Sequence, residues 1–146
     1  AKARNDTVQD VDDEEKTLRD AIRDKPTSVL AHCNLGDLFK RRGKDAEAEA
    51  TYREALRVFP KDAYAHYKLG ILLEKLGKDA DAEASYREAI RLNPTDAKTH
   101  WFLATILEKR DDADGAIVEI REYIRKGDPD NAGEARVKTL LAKQAA

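Results

Sequence analysis

The three histidines of the chain, His32, His66 and His100, recur at intervals of 34 residues, and imidazoles in register invite a zinc hypothesis. Equivalent places on neighbouring helices stand about a helix diameter apart, roughly 10 Å, whereas a shared zinc holds each nitrogen at about 2.1 Å. The histidines are therefore read as half-buried packing residues, with no metal and no cofactor expected. Cys33 is the single cysteine; the helical period puts it on the outer stripe of its helix, and one thiol can form neither an internal disulfide nor a metal cage, so it is read as inert. No set of hydroxyl, thiol and imidazole recurs, no glycine-rich phosphate loop is present, and the acidic pairs fall on amphipathic faces where solvation explains them. The expectation is a protein that is not an enzyme.

The same interval organises the whole chain. Of the 34 positions in residues 29–62, 19 are identical in residues 63–96, and residues 97–130 continue the register through His100, Leu103, Ile106, Leu107 and Ala116. Within each unit apolar residues return at helical spacing, first Leu35, Leu38 and Phe39, then Ala48, Tyr52, Ala55 and Leu56, so each unit is two helices. Gly43 and Gly77 end the first helix of a unit, and Pro60 and Pro94 forbid continuation into the next. Asp45 and Asp79 follow the glycines and are expected to accept the orphan amide hydrogens of the second helix. Flanking half-units, Val8–Asp24 and roughly residues 131–143, bring the expected number of helices to eight.

Small side chains explain how such helices approach. Gly36, Gly70 and Ala104 fall on the inward stripe of the first helices, and Ala48, Ala82 and Ala116 on that of the second. A further trio, Ala21, Ala55 and Ala89, is expected to meet the following unit. Glu14 stands where second helices carry alanine, which requires that no first helix pack against it and marks Val8–Asp24 as a solitary N-terminal helix or a remnant of a truncated one.

Composition narrows the class. A chain of 146 residues with 38% charged and 41% hydrophobic residues fits one soluble domain of ordinary size. With 27 basic against 29 acidic residues, it lacks the basic footprint that nucleic-acid or anionic-membrane binding needs, so neither partner is expected. No apolar run approaches the roughly 20 residues of a membrane span, no signal-peptide core is visible near Ala1, and the lone cysteine suits a reducing, cytoplasmic setting.

The repeated residues resemble the tetratricopeptide repeat, whose signature is a Leu-Gly pair, then an alanine, an aromatic and an alanine, then proline. They read Leu35-Gly36, Ala48, Tyr52, Ala55 and Pro60, and again Leu69-Gly70, Ala82, Tyr86, Ala89 and Pro94. The resemblance implies an all-α fold, an α-solenoid wound as a right-handed superhelix. Three helix-turn-helix units, 29–62, 63–96 and 97–130, are expected between an N-terminal segment with its capping helix, 1–28, and a C-terminal capping helix, 131–146. Unit three departs from the pattern: Leu103-Ala104 replaces Leu-Gly, Asp111 takes the turn glycine's place, Ile120 and Tyr123 replace the aromatic and the alanine, and Pro129 arrives one residue late. Tyr123 is expected to enlarge the last interface. The run Ala31-His32-Cys33-Asn34-Leu35-Gly36 is similar to repeats in O-linked N-acetylglucosamine transferases and sets no function.

The resemblance also places the remaining stripe of each first helix on a concave groove that receives peptides. That stripe is Leu30, Cys33, Asn34, Asp37, Lys40 and Arg41 in unit one, Tyr64, Tyr67, Lys68, Ile71, Glu74 and Lys75 in unit two, and Lys98, Trp101, Phe102, Thr105, Glu108 and Lys109 in unit three. Four of the chain's nine aromatic residues lie there, which points to an anchor pocket. Six basic residues face three acidic ones, and Arg136 on the last helix adds to the excess, so a peptide with apolar and acidic side chains is the expected partner. Candidate binding residues are Asn34, Tyr64, Tyr67, Lys68, Ile71, Lys98, Trp101, Phe102 and Arg136. The clamp with which relatives grip the acidic tails of heat-shock chaperones is broken here: Cys33 and Asp37 hold its first places, Lys68 replaces an asparagine and only Lys98 matches. The asparagine ladder of the sugar transferases shrinks to Asn34. The function expected is a non-catalytic interaction scaffold. Two rivals stay open, a targeting or regulatory segment of a larger enzyme and a module that self-associates through its apolar end faces.

Overall fold

Every first helix ends by the same local device. Arg42, Leu76 and Arg110 each fall one residue before a left-handed position, occupied by Gly43 at φ 73°, Gly77 at φ 75° and Asp111 at φ 63°. Beyond it, the amides of Lys44, Lys78 and Asp112 reach back to the carbonyls of Phe39, Leu73 and Leu107 at 2.8–2.9 Å. This backbone closure satisfies carbonyls that a helix end leaves orphaned. Asp111 therefore takes over the glycine's conformation as well as its place, a geometry that aspartate tolerates better than most side chains.

In the computed structural model, which describes residues 8–127 and 131–146, eight helices form and no strand is present among the described residues. They are α1 (Val8–Asp24), α2 (Val29–Arg41), α3 (Asp45–Val58), α4 (Ala63–Lys75), α5 (Asp79–Leu92), α6 (Ala97–Lys109), α7 (Ala113–Arg125) and α8 (Ala132–Ala145). The late Pro129 and the start of the N-terminal segment lie outside the described residues. Helix starts are capped by side chains at Ser28, whose Oγ accepts from the Ala31 amide at 3.2 Å, at Asp62 for Ala65 at 2.8 Å, and at Asp112 for Gly115 at 2.8 Å. Asp45 and Asp79 do not cap in this way. The cap residues are Lys44 and Lys78, without a side-chain cap bond, and the aspartates sit inside the first turn, where a negative charge favours the helix dipole.

The chain divides into two compact units, Ala1–Ala65 and His66–Ala146. In the first, α2 packs on α1 and on α3, burying Leu35, Leu38, Phe39, Ala48, Tyr52 and Ala55. Glu14 is exposed and receives Arg41 at 2.7 Å, while Glu15 receives Arg42 at 2.6 Å. Ala21 is exposed, whereas Ala55 and Ala89 are buried. In the second unit α5 packs on α6, α6 on α7, and α7 on α8, around Leu72, Leu73, Tyr86, Leu103, Ile106, Leu107, Ile117 and Ile120. Val137 and Leu140 of α8 join this core, whereas Leu141, in phase with buried Leu107 and Leu73, stays 44% exposed.

Small residues decide how closely a pair approaches. A Cβ on Gly36 would lie 2.6 Å from Tyr52 Cε1, a separation real side chains do not tolerate. The third pair is Ala104 with Ile120, both fully buried: a methyl group appears on one helix where a ring disappears from the other.

Candidate functional site

Within the second unit the inner stripes of α4, α6 and α8 assemble a set of aromatic and charged side chains. Tyr67 of α4 meets Phe102 of α6 edge-on at 5.6 Å between centroids, and Phe102 stacks on the core ring of Tyr86 at 6.0 Å. Lys98 Nζ lies 4.9 Å from the Tyr67 centroid, a cation–π contact. Trp101 packs against Tyr123 at 5.1 Å and carries the Arg136 guanidinium at 4.3 Å from its centroid. Tyr67, Lys68, Ile71, Trp101 and Phe102 are half-buried and Lys98 is exposed. In the first unit Asn34 and Tyr64 are exposed.

Arg136 holds α8 in place. Its Nε donates to Glu108 at 2.8 Å, Nη2 to the Thr105 hydroxyl at 2.9 Å, and Nη1 to the Trp101 carbonyl at 3.3 Å. Its charge is paired with Glu108 and partly buried, so the donors of Arg136 are engaged within the chain and not open to a ligand. A guanidinium presents its donors in a fixed fork, and here the fork is already filled.

Two further differences follow from tertiary packing. Cys33 is fully buried, not on an outer stripe, and the Tyr52 ring crosses the same helix at Gly36. Tyr52 in turn donates its hydroxyl to Asp37, and burial first, then this bond, pushes its phenol above the usual range. In the next repeat Ile71 stands where Asp37 stands, and the buried Tyr86 hydroxyl has no hydrogen-bond partner among the described residues. Glu74 Oε1 is likewise buried without a partner, and Lys109 approaches its other oxygen only to 3.8 Å. Desolvation raises the Glu74 carboxyl above its ordinary value despite that lysine.

The histidines do not converge. His32 and His100 are buried and His66 half-buried, and no three His, Cys, Asp or Glu side chains gather as metal ligands would among the described residues. His100 joins a chain of polar groups instead: Lys126 Nζ lies 2.7 Å from Nε2 and Glu119 Oε2 lies 2.6 Å from Nδ1. Neither Glu119 nor Lys126 carried a signal in the sequence, because their partner lies on another helix.

The sequence profile of the tetratricopeptide repeat matches residues 9–63, 33–97 and 67–132 in overlapping windows. The chain belongs to the tetratricopeptide repeat family. Its helices form tandem helix-turn-helix repeats of the α-solenoid class, in keeping with the solved structures it is similar to. A crystal structure of MamA superimposes with a TM-score of 0.83 at 18% identity, covering 94% of this chain and 80% of that one. A second MamA structure gives 0.75 at 17%, covering 92% and 79%. YrrB, described as a TPR protein with an unusual peptide-binding site, gives 0.79 at 18%, covering 89% and 67%. At such identities the likeness is one of fold. No curated protein sequence matches. As a tetratricopeptide protein the chain is of a kind that engages other proteins or peptides, and among its described residues no helix is long and apolar enough to cross a membrane.

Proposed function

We propose that the chain acts without catalysis, as an interaction scaffold that holds an extended peptide or a partner helix against the inner stripes of its first helices. In the second unit Tyr67, Ile71, Trp101 and Phe102 supply apolar contact, and Lys68 and Lys98 meet acidic side chains of the ligand. Asn34 and Tyr64, which fall in the first unit, are candidates of the same kind. The observation that carries this reading is the aromatic cluster itself. Four rings on α4, α5 and α6 and their neighbour Tyr123 are locked by mutual contact, yet Tyr67, Trp101 and Phe102 keep part of their surface open. Rings already fixed lose little freedom on binding, so their contact area converts efficiently into affinity. The lone buried thiol suits a reducing intracellular compartment.

The test is retention of a soluble hexapeptide library on immobilised wild type and on the double variant Tyr67→Ala/Trp101→Ala, with helicity checked by circular dichroism. Retention should fall in the folded variant. Equal retention by both proteins would discard the reading.

A further inference from the structure

Glu74 and Glu108 occupy the same place in successive repeats, each seven residues after an inner aromatic, Tyr67 or Trp101. Around Glu108 the chain supplies its own cation. Arg136 reaches the carboxylate from α8, lies over the Trp101 ring and gives a further hydrogen bond to Thr105. One repeat earlier, 34 residues back, the counterpart of Arg136 is Phe102 and that of Thr105 is Ile71, and neither side chain can donate a hydrogen bond.

The outcome is a local deficit. Glu74 Oε1 and the Tyr86 hydroxyl are the two buried side-chain atoms without a hydrogen-bond partner among the described residues. They belong to neighbouring groups of one unit, close enough for the Glu74 charge to act on the Tyr86 phenol. Lys109 stands beyond hydrogen-bond distance at 3.8 Å.

We propose that the partly exposed Glu74 carboxylate is the receptor for a cationic side chain of the bound peptide, a guanidinium or ammonium, in the role that Arg136 fills for Glu108. This rests on the inner-face reading above and adds a sign and a register to it. Lys68 and Glu74 are six positions apart on α4, about 9 Å at the helical rise. An extended peptide covers that in about three residues. The ligand therefore carries an acidic and a basic side chain about three residues apart, where the charge count of the stripes alone asks for acidic ones.

The experiment is selection from a soluble hexapeptide library built of Asp, Leu, Phe, Arg and citrulline, retained on the immobilised full chain and read by mass spectrometry. Citrulline keeps the shape of arginine and removes its charge. Wild type should enrich arginine over citrulline by roughly tenfold, and Glu74→Gln should erase that ratio while still retaining acidic, aromatic peptides. Retained peptides with equal arginine and citrulline would overturn the proposal and leave the inner-face reading standing. An arginine preference that survives Glu74→Gln would also overturn it. No retention above a protein-free resin would overturn both.

Discussion

The Cβ that Gly70 lacks would stand 2.7 Å from Cδ1 of Tyr86. Glycine and tyrosine are thus two halves of one fitted contact, repeated as Gly36 with Tyr52 and relaxed in the third repeat to Ala104 with Ile120. Gly70→Ala should lower stability in chemical unfolding even though alanine is the better helix former by about 1 kcal/mol, because overpacking costs about 1–3 kcal/mol. The double variant Gly70→Ala/Tyr86→Ile, which copies the third repeat, should regain part of that loss. A single variant as stable as wild type would show that the ring can move aside.

One substitution in two repeats should give opposite answers. Tyr52→Phe removes a hydroxyl that donates to Asp37 and should cost about 1.5–3 kcal/mol, as for hydrogen bonds to charged groups. Tyr86→Phe removes a buried hydroxyl with no partner among the described residues and should be neutral or stabilising. Equal urea midpoints for the two variants would contradict the difference between the repeats.

Glu74 should make stability fall as pH rises. Its folded carboxyl titrates above the ordinary 4.5, burial being the largest cause, so the folded state holds its proton more tightly than the unfolded chain. The contribution is present in full below the unfolded value and is lost as pH climbs through the folded one. Glu74→Gln should therefore melt at a higher temperature than wild type at pH 7, with the gain shrinking as the pH is taken below 4.5. A gain that is independent of pH would point to packing instead of charge.

Trp101, the single tryptophan, reports on the seating of α8. Arg136→Ala removes the guanidinium over its ring and leaves Glu108 without its partner. With Arg136 and Glu108 both partly exposed, the cost should lie at about 1–3 kcal/mol, between surface and buried pairs. Emission should shift to longer wavelength and helicity should drop. Unchanged emission would mean that Val137 and Leu140 hold α8 without it.

What the sequence made legible was whatever repeats locally. Glycine at 43 and 77 and proline at 60 and 94 punctuate the helices, the apolar period marks their buried sides, and even the irregular Asp111 could be assigned its turn. Cys33 was misplaced because a helical wheel knows one helix only, and the ring of Tyr52 comes from another. Arg136 was counted as available charge for the same reason: its partner Glu108 is 28 positions away, and nothing in a linear stripe says that the two meet. Asp45 and Asp79 sit in the first turn, where their charge opposes the positive end of the dipole, while the lysines before them hold the cap position. The unpartnered pair Glu74 and Tyr86 was invisible because satisfaction of a polar atom is a property of the folded neighbourhood.

The exchange between Phe102 and Arg136 has a bearing on how such arrays acquire specificity. In the third repeat an arginine from the helix that follows pairs with Glu108, whereas in the second a phenylalanine stands at that place and Lys109 comes only to 3.8 Å of Glu74. Copying the third repeat's closure into the second would take Phe102→Arg together with Ile71→Thr, and would remove the ring that Tyr67 and Tyr86 pack against.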